Sequence, residues 1–136
     1  MSKIKIAIAD DNKDFCDILY EVLGEEKDIE ISWTANDGRK VLEEIQKETP
    51  DVLILDNIMP YIDGFEVLEQ INKMELSKSP KIIMLTAMGN ETFTKKAISL
   101  GASYYIVKPF DLQILLKRIY SLSGIHKEED TPAAPK

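Results

Sequence analysis

Cysteine is almost missing from this chain of 136 residues: Cys16 is the only one. A single thiol excludes an internal disulfide and a zinc knuckle built on paired cysteines. Cys16 is therefore read as a small buried residue on a helix. Long apolar runs are missing too. Nothing approaches the roughly 20 residues that cross a bilayer. The first apolar stretch, Ile4 to Ala9, is short and stops at two aspartates, which is not the pattern of a secretory leader. The cytoplasm is the expected compartment, with no membrane contact. Positive charge is in deficit as well. A net charge of −7 argues against direct binding of nucleic acid by this domain. It suits a cationic partner or a metal ion. With 44% hydrophobic and 30% charged residues, the chain has the composition of one globular domain rather than a disordered segment.

Two periodicities alternate along the chain. Short β-rich apolar runs occupy Ile4–Ala9, Ile29–Ala35, Val52–Leu55, Ile82–Leu85 and Tyr104–Val107. Helical stripes lie between and after them: Phe15, Ile18, Leu19, Val22 and Leu23; Val41, Leu42 and Ile45; Phe65, Val67, Leu68 and Ile71; Phe93, Ala97, Ile98 and Leu100; Leu112, Leu115, Leu116, Ile119 and Tyr120. Asn12 or Asp11, Asp37, Asn90 and Asp111 are suitable N-caps, and Gly24 and Gly101 stand where helices should stop. Residues 1–124 read as one domain. Residues 125–136, charged and then Pro-containing, read as a linker or tail towards an output domain that is not in this sequence.

Strict alternation of strand and helix predicts a parallel sheet with helices on both faces. The expected fold is α/β, a doubly wound (βα)₅ arrangement of flavodoxin-like topology with strand order 2-1-3-4-5. Ligands bind such sheets outside the carboxyl ends of the strands. The residues following the apolar runs are therefore the candidate site: Asp10 and Asp11 after the first, Asp56 after the third, Thr86 after the fourth and Lys108 after the fifth. Crowded carboxylates repel unless a cation intervenes. Oxygen-only ligands select a hard ion such as Mg²⁺. A carboxylate is also a competent nucleophile towards phosphorus. Mg²⁺, the Lys108 ammonium and the Thr86 hydroxyl would then stabilise the phosphoryl oxygens.

These residues resemble a known family, the receiver domains of bacterial response regulators, over residues 2 to about 124. The resemblance rests on Ala9-Asp10-Asp11-Asn12, Leu55-Asp56, Met59-Pro60-Tyr61-Ile62-Asp63-Gly64, Leu85-Thr86-Ala87, Gly101-Ala102 and Lys108-Pro109-Phe110. More narrowly, Asp51 to Asp56 with Ile58-Met59-Pro60, Ile83 to Ala87, Thr94 to Ala97 and Gly101 to Tyr105 resemble the sporulation master regulators of spore-forming Firmicutes. The resemblance implies Asp56 as the phosphorylated residue. It implies Mg²⁺ held by Asp10, Asp11, Asp56 and the backbone carbonyl of Ile58. Thr86, Ala87, Lys108 and Tyr105 would bind or sense the phosphoryl group, and the bond before Pro109 would be cis. The donor would be a histidine kinase or histidine phosphotransferase, recognised near Asn12, Phe15 and Tyr61. A phosphorylation-dependent homodimer would use the fourth helix, fifth strand and fifth helix, where Phe93, Tyr104 and Leu112 are candidates. The domain would not be an enzyme beyond its own phosphoryl transfer and slow autodephosphorylation.

Slow turnover follows from two positions that flank the path of attacking water in this family. Ile58 and Met88 are apolar and cannot orient a water molecule, so hydrolysis on a scale of minutes to hours is expected, general-base help of ~10²-fold or more being absent. Two other chemistries share the fold or the nucleophile. A haloacid-dehalogenase-type phosphatase requires a second Asp where Ile58 stands. A flavodoxin requires a phosphate-cradling loop where Asp10-Asp11 would repel phosphate. A receiver relic limited to protein contacts would not retain the full acid set.

Overall fold

The structure is a computed structural model, and it describes residues 3–124. The expected tail at 125–136 lies outside the described residues. Among the described residues, five strands and five helices alternate: β1 (Ile4–Ala9), α1 (Lys13–Gly24), β2 (Ile29–Ala35), α2 (Gly38–Lys47), β3 (Val52–Leu55), α3 (Gly64–Lys73), β4 (Lys81–Thr86), α4 (Glu91–Ser99), β5 (Tyr104–Val107) and α5 (Leu112–Ser123). The sheet is parallel throughout, in the order β2-β1-β3-β4-β5. No described helix is long and apolar enough to cross a membrane.

The core has two layers, one on each face of the sheet. Leu53, Leu55 and Met84 face α2, α3 and α4, packing with Val41, Val67 and Ala97. Ile6, Ile8, Ile54 and Ile83 face α1 and α5, packing with Leu19, Leu23, Leu115 and Ile119. All four residues of β3 are buried, as a strand covered on both faces requires. The stripe on α1 is narrower than its spacing predicts. Cys16, Leu19 and Leu23 form the buried face, whereas Ile18 is 58% exposed because it projects sideways from that line. Ile98 on α4 is likewise exposed, and Ala97 makes the buried contact.

Side-chain caps start all five helices. Asn12, Asp37, Asp63, Asn90 and Asp111 each accept a backbone N–H from the first turn. Of the two expected helix-stopping glycines, only Gly101 takes a positive φ, at 107°. α1 is capped instead by Glu25 in a right-handed conformation. At the β2 edge the ladder is irregular: Ile6 pairs with Ile31 and Ala7 with Trp33, so Ser32 is bulged out of register. Trp33 is tied down by its indole N–H, which donates to the Glu48 carbonyl at 2.8 Å.

Candidate functional site

The parallel register brings the carboxyl ends of β1, β3, β4 and β5 to one edge. Ala9 pairs with Leu55, Leu55 with Met84, and Thr86 with Val107. The residue after each strand therefore emerges beside its neighbours. The backbone N–H of Asp10 donates to Ala35 O at 3.0 Å, and that of Asp56 to Ala9 O at 2.9 Å. These bonds hold the first polar residue of two strands in line with the sheet.

Carboxylate oxygens of Asp10, Asp11 and Asp56 all lie within 4.8 Å of one another. Asp10 and Asp56 are buried, and Asp11 is exposed at the rim. Backbone donors orient the two buried groups. Asn12 N–H donates to Asp10 Oδ1 at 3.0 Å, and Ile58 N–H to Asp56 Oδ1 at 3.3 Å. Lys108 enters from the loop after β5, its N–H donating to Thr86 O at 2.8 Å, and the Lys108–Pro109 peptide bond is cis. Its ammonium lies 2.6 Å from Asp10 Oδ2 and 3.8 Å from Asp56 Oδ2. It also sits 4.2 Å from the centroid of the Phe15 ring, a cation–π contact.

Asp56 holds its proton more tightly than an ordinary carboxyl. Burial is the main cause, and the Asp10 charge adds to it; the Ile58 N–H, Lys108 and the Thr86 hydroxyl pull the other way. One ammonium does not balance three clustered acids, so the site favours a further cation. An oxygen-only donor set fits a hard divalent ion such as Mg²⁺.

Thr86 is fully buried, and its Oγ1 accepts the Met88 N–H at 3.3 Å. Met88 is held from two more sides. Its carbonyl accepts the Tyr105 hydroxyl, and its sulfur lies 3.4 Å from the Asn57 side-chain nitrogen. Burial, then the Asp56 charge, push the Tyr105 phenol upward. Ala87 is exposed on the rim between Thr86 and Met88. The Ile58 side chain, two residues after Asp56, is 49% exposed. Of the other expected surface residues, Tyr61 is 71% exposed. Phe93 packs on Phe65, and Tyr104 lies under the Arg118 guanidinium.

Three supporting residues carry no signal that sequence spacing alone provides. Gly64 lies so close to the end of β3 that a Cβ there would stand 2.5 Å from Asp56 O. Asn36 donates from Nδ2 to Asp10 O at 2.9 Å. Cys16 donates to the same carbonyl at 3.4 Å, and burial followed by the Asp10 charge push its thiol up to about 11, which keeps it protonated.

An acidic triad, a buried hydroxyl and a lysine gathered at the carboxyl edge of a 2-1-3-4-5 sheet define a class of phosphoacceptor-like α/β domains. The chain belongs to the response regulator receiver domain family, whose sequence profile matches residues 6–120. Its similarity extends to solved structures. One is a putative response regulator from Chloroflexus aurantiacus, 30% identical, covering 90% of this chain and 99% of that one, with a TM-score of 0.80. A second is the Francisella response regulator 1452 receiver domain, 27% identical, covering 90% and 98%, with a TM-score of 0.81. A third is the response regulator domain of Thermotoga maritima CheB, 25% identical, covering 92% and 99%, with a TM-score of 0.81. Receiver domains belong to two-component systems and are phosphorylated by histidine kinases.

Proposed function

We propose that the described domain accepts a phosphoryl group on Asp56, with Mg²⁺ held by Asp10, Asp11, Asp56 and the Ile58 carbonyl. The observation that carries the reading is the convergence of three carboxylates within 4.8 Å at the sheet's carboxyl edge, with Lys108 and Thr86 beside them. Asp56 is the buried acid at the end of the central strand, flanked by strands on both sides. Its carboxylate oxygen attacks phosphorus; an O–P bond forms as the N–P bond to the donor's imidazole breaks, and the imidazole leaves. A divalent ion held by these residues would supply positive charge to the phosphoryl oxygens. Lys108 supplies a second cation, and Thr86 supplies a hydroxyl donor from a fully buried position.

The donor is a histidine kinase or histidine phosphotransferase that docks beside Asn12, Phe15 and Tyr61. The new phosphoryl charge, about −1.5 to −2, draws on Thr86. Thr86 Oγ1 already accepts the Met88 N–H, so its movement is felt by Met88 and by the Tyr105 hydroxyl bound to the Met88 carbonyl. That path leads to α4, β5 and α5, the surface assigned to a phosphorylation-dependent homodimer and to output. The runs around Asp56 and Thr86 support placement among regulators of sporulation transcription. Residues 1–124 form the phosphoacceptor unit; the domain itself does not bind nucleic acid, and it acts in the cytoplasm.

Intact mass after incubation with acetyl phosphate and Mg²⁺ tests the reading. The expected result is a gain of one phosphate in the unaltered chain and none in Asp56→Asn. A chain that never gains that mass, or an Asn variant that gains it equally, overturns the assignment.

A further inference from the structure

The connection between β2 and α2 touches both loops that carry the acidic cluster. On one side, Asn36 Nδ2 donates to the main-chain carbonyl of Asp10 at 2.9 Å and lies 3.5 Å from Cys16 Sγ. On the other side, Gly38 packs directly on the loop that follows Asp56: a Cβ at position 38 would stand 2.3 Å from Ile62 O and 2.8 Å from Ile62 Cβ. The next residue, Arg39, lays its guanidinium over the Tyr61 ring, 3.6 Å from the centroid. Tyr61 has a φ of 72°, a left-handed backbone that a bulky residue keeps only when its surroundings enforce it.

These contacts act on the two ligand-bearing segments. The Asp10 carbonyl belongs to the peptide that joins Asp10 to Asp11. Fixing that carbonyl fixes the peptide plane, and with it the direction in which the Asp11 side chain leaves the backbone. The loop from residue 57 to residue 62 carries the Ile58 carbonyl, and its far end rests on Gly38 and Arg39. Three converging carboxylates repel one another and would relax apart on an unsupported backbone.

We propose that Asn36 and Gly38 are positioning residues for the divalent cation: one short turn braces the Asp10–Asp11 loop and the Ile58–Ile62 loop against each other. The proposal rests on the phosphoacceptor reading. Asp37 contributes indirectly, because its side chain accepts the Lys40 N–H and fixes the start of α2 beneath the turn. Groups that orient metal ligands without touching the metal typically alter its affinity by 10–100-fold.

The test is the Mn²⁺ dissociation constant of the 136-residue chain, read from the electron paramagnetic resonance signal of the free ion. Asn36→Ala and Gly38→Ala are compared with the unaltered protein. Tyr120→Phe serves as a control that loses the hydroxyl contact with Glu26, far from the site. Roughly tenfold or greater weakening is expected for Asn36→Ala and Gly38→Ala, with Tyr120→Phe binding like the unaltered protein. Should Gly38→Ala not fold, Asn36→Ala decides alone, since it removes only an amide from an exposed residue. An Asn36→Ala variant that binds Mn²⁺ as tightly as the unaltered protein, or no more weakly than Tyr120→Phe, overturns the proposal. If the unaltered protein holds no Mn²⁺, the phosphoacceptor reading falls with it. Tight unaltered binding with indifferent variants removes this inference alone.

Discussion

Lys108 is paired with Asp10 rather than with the central acid: its ammonium is 2.6 Å from Asp10 Oδ2 and 3.8 Å from Asp56 Oδ2. The pair is the shortest ion contact at the site and joins β1 to the loop after β5. In the absence of other cations, Lys108 compensates the more deeply buried acid, and Asp56 remains the one whose charge is least satisfied.

Removing that ammonium leaves Asp10 buried and uncompensated. Lys108→Ala should lose about 1–3 kcal/mol of stability in the absence of divalent ions. Saturating Mg²⁺ should restore most of the loss, because the ion supplies the missing positive charge. Urea denaturation in chelator and in Mg²⁺ measures both quantities. Equal losses in the two conditions would show that the lysine acts by packing and not by charge.

The raised Asp56 pKa fixes the sign of a pH effect. The folded carboxyl keeps its proton to higher pH than the unfolded one, so the folded state binds more protons and stability falls as pH rises through this window. Asp56→Asn should therefore be more stable than the unaltered protein at neutral pH in chelator. The gap should close as pH falls below about 4, where the unfolded carboxyl is also neutral. Thermal midpoints across that range check the claim. A variant less stable than the unaltered protein at pH 7 contradicts it.

Neither Ile58 nor Met88 carries a side-chain group able to orient water. Met88 is further constrained by Thr86, Tyr105 and Asn57. The double variant Ile58→Asn, Met88→Glu should lose phosphate from Asp56 faster by ~10²-fold or more. Decay of the phosphorylated mass with time gives the rate. A half-life unchanged by the two substitutions would place the slow step elsewhere.

Much of the fold could be read from alternation alone. β1, β2, β3 and β5 coincide with their apolar runs, and β4 extends one residue further at each end. Val52 to Leu55 was legible because only a strand covered on both faces is apolar at every position. Ile18 and Ile98 share the helical spacing of their stripes but lie outside the buried line, since an apolar residue one step from a helix's inner line has the same spacing as a core residue. The cluster at Asp10, Asp11 and Asp56 followed from where strands end. Its supports did not. Asp63 as a cap is masked by the turn residues around it, and Asn36, Gly38 and Gly64 act through backbone approaches that no periodicity encodes.

The bulge at Ser32 has a bearing on how these molecules meet one another. A visiting strand laid against β2 would match the hydrogen-bonding rhythm on one side of Ser32 and fall out of step on the other. Lateral growth of the sheet from that margin is therefore self-limiting. Crowded copies of the domain are kept from zipping together there, whatever happens at the opposite, unbulged margin of β5.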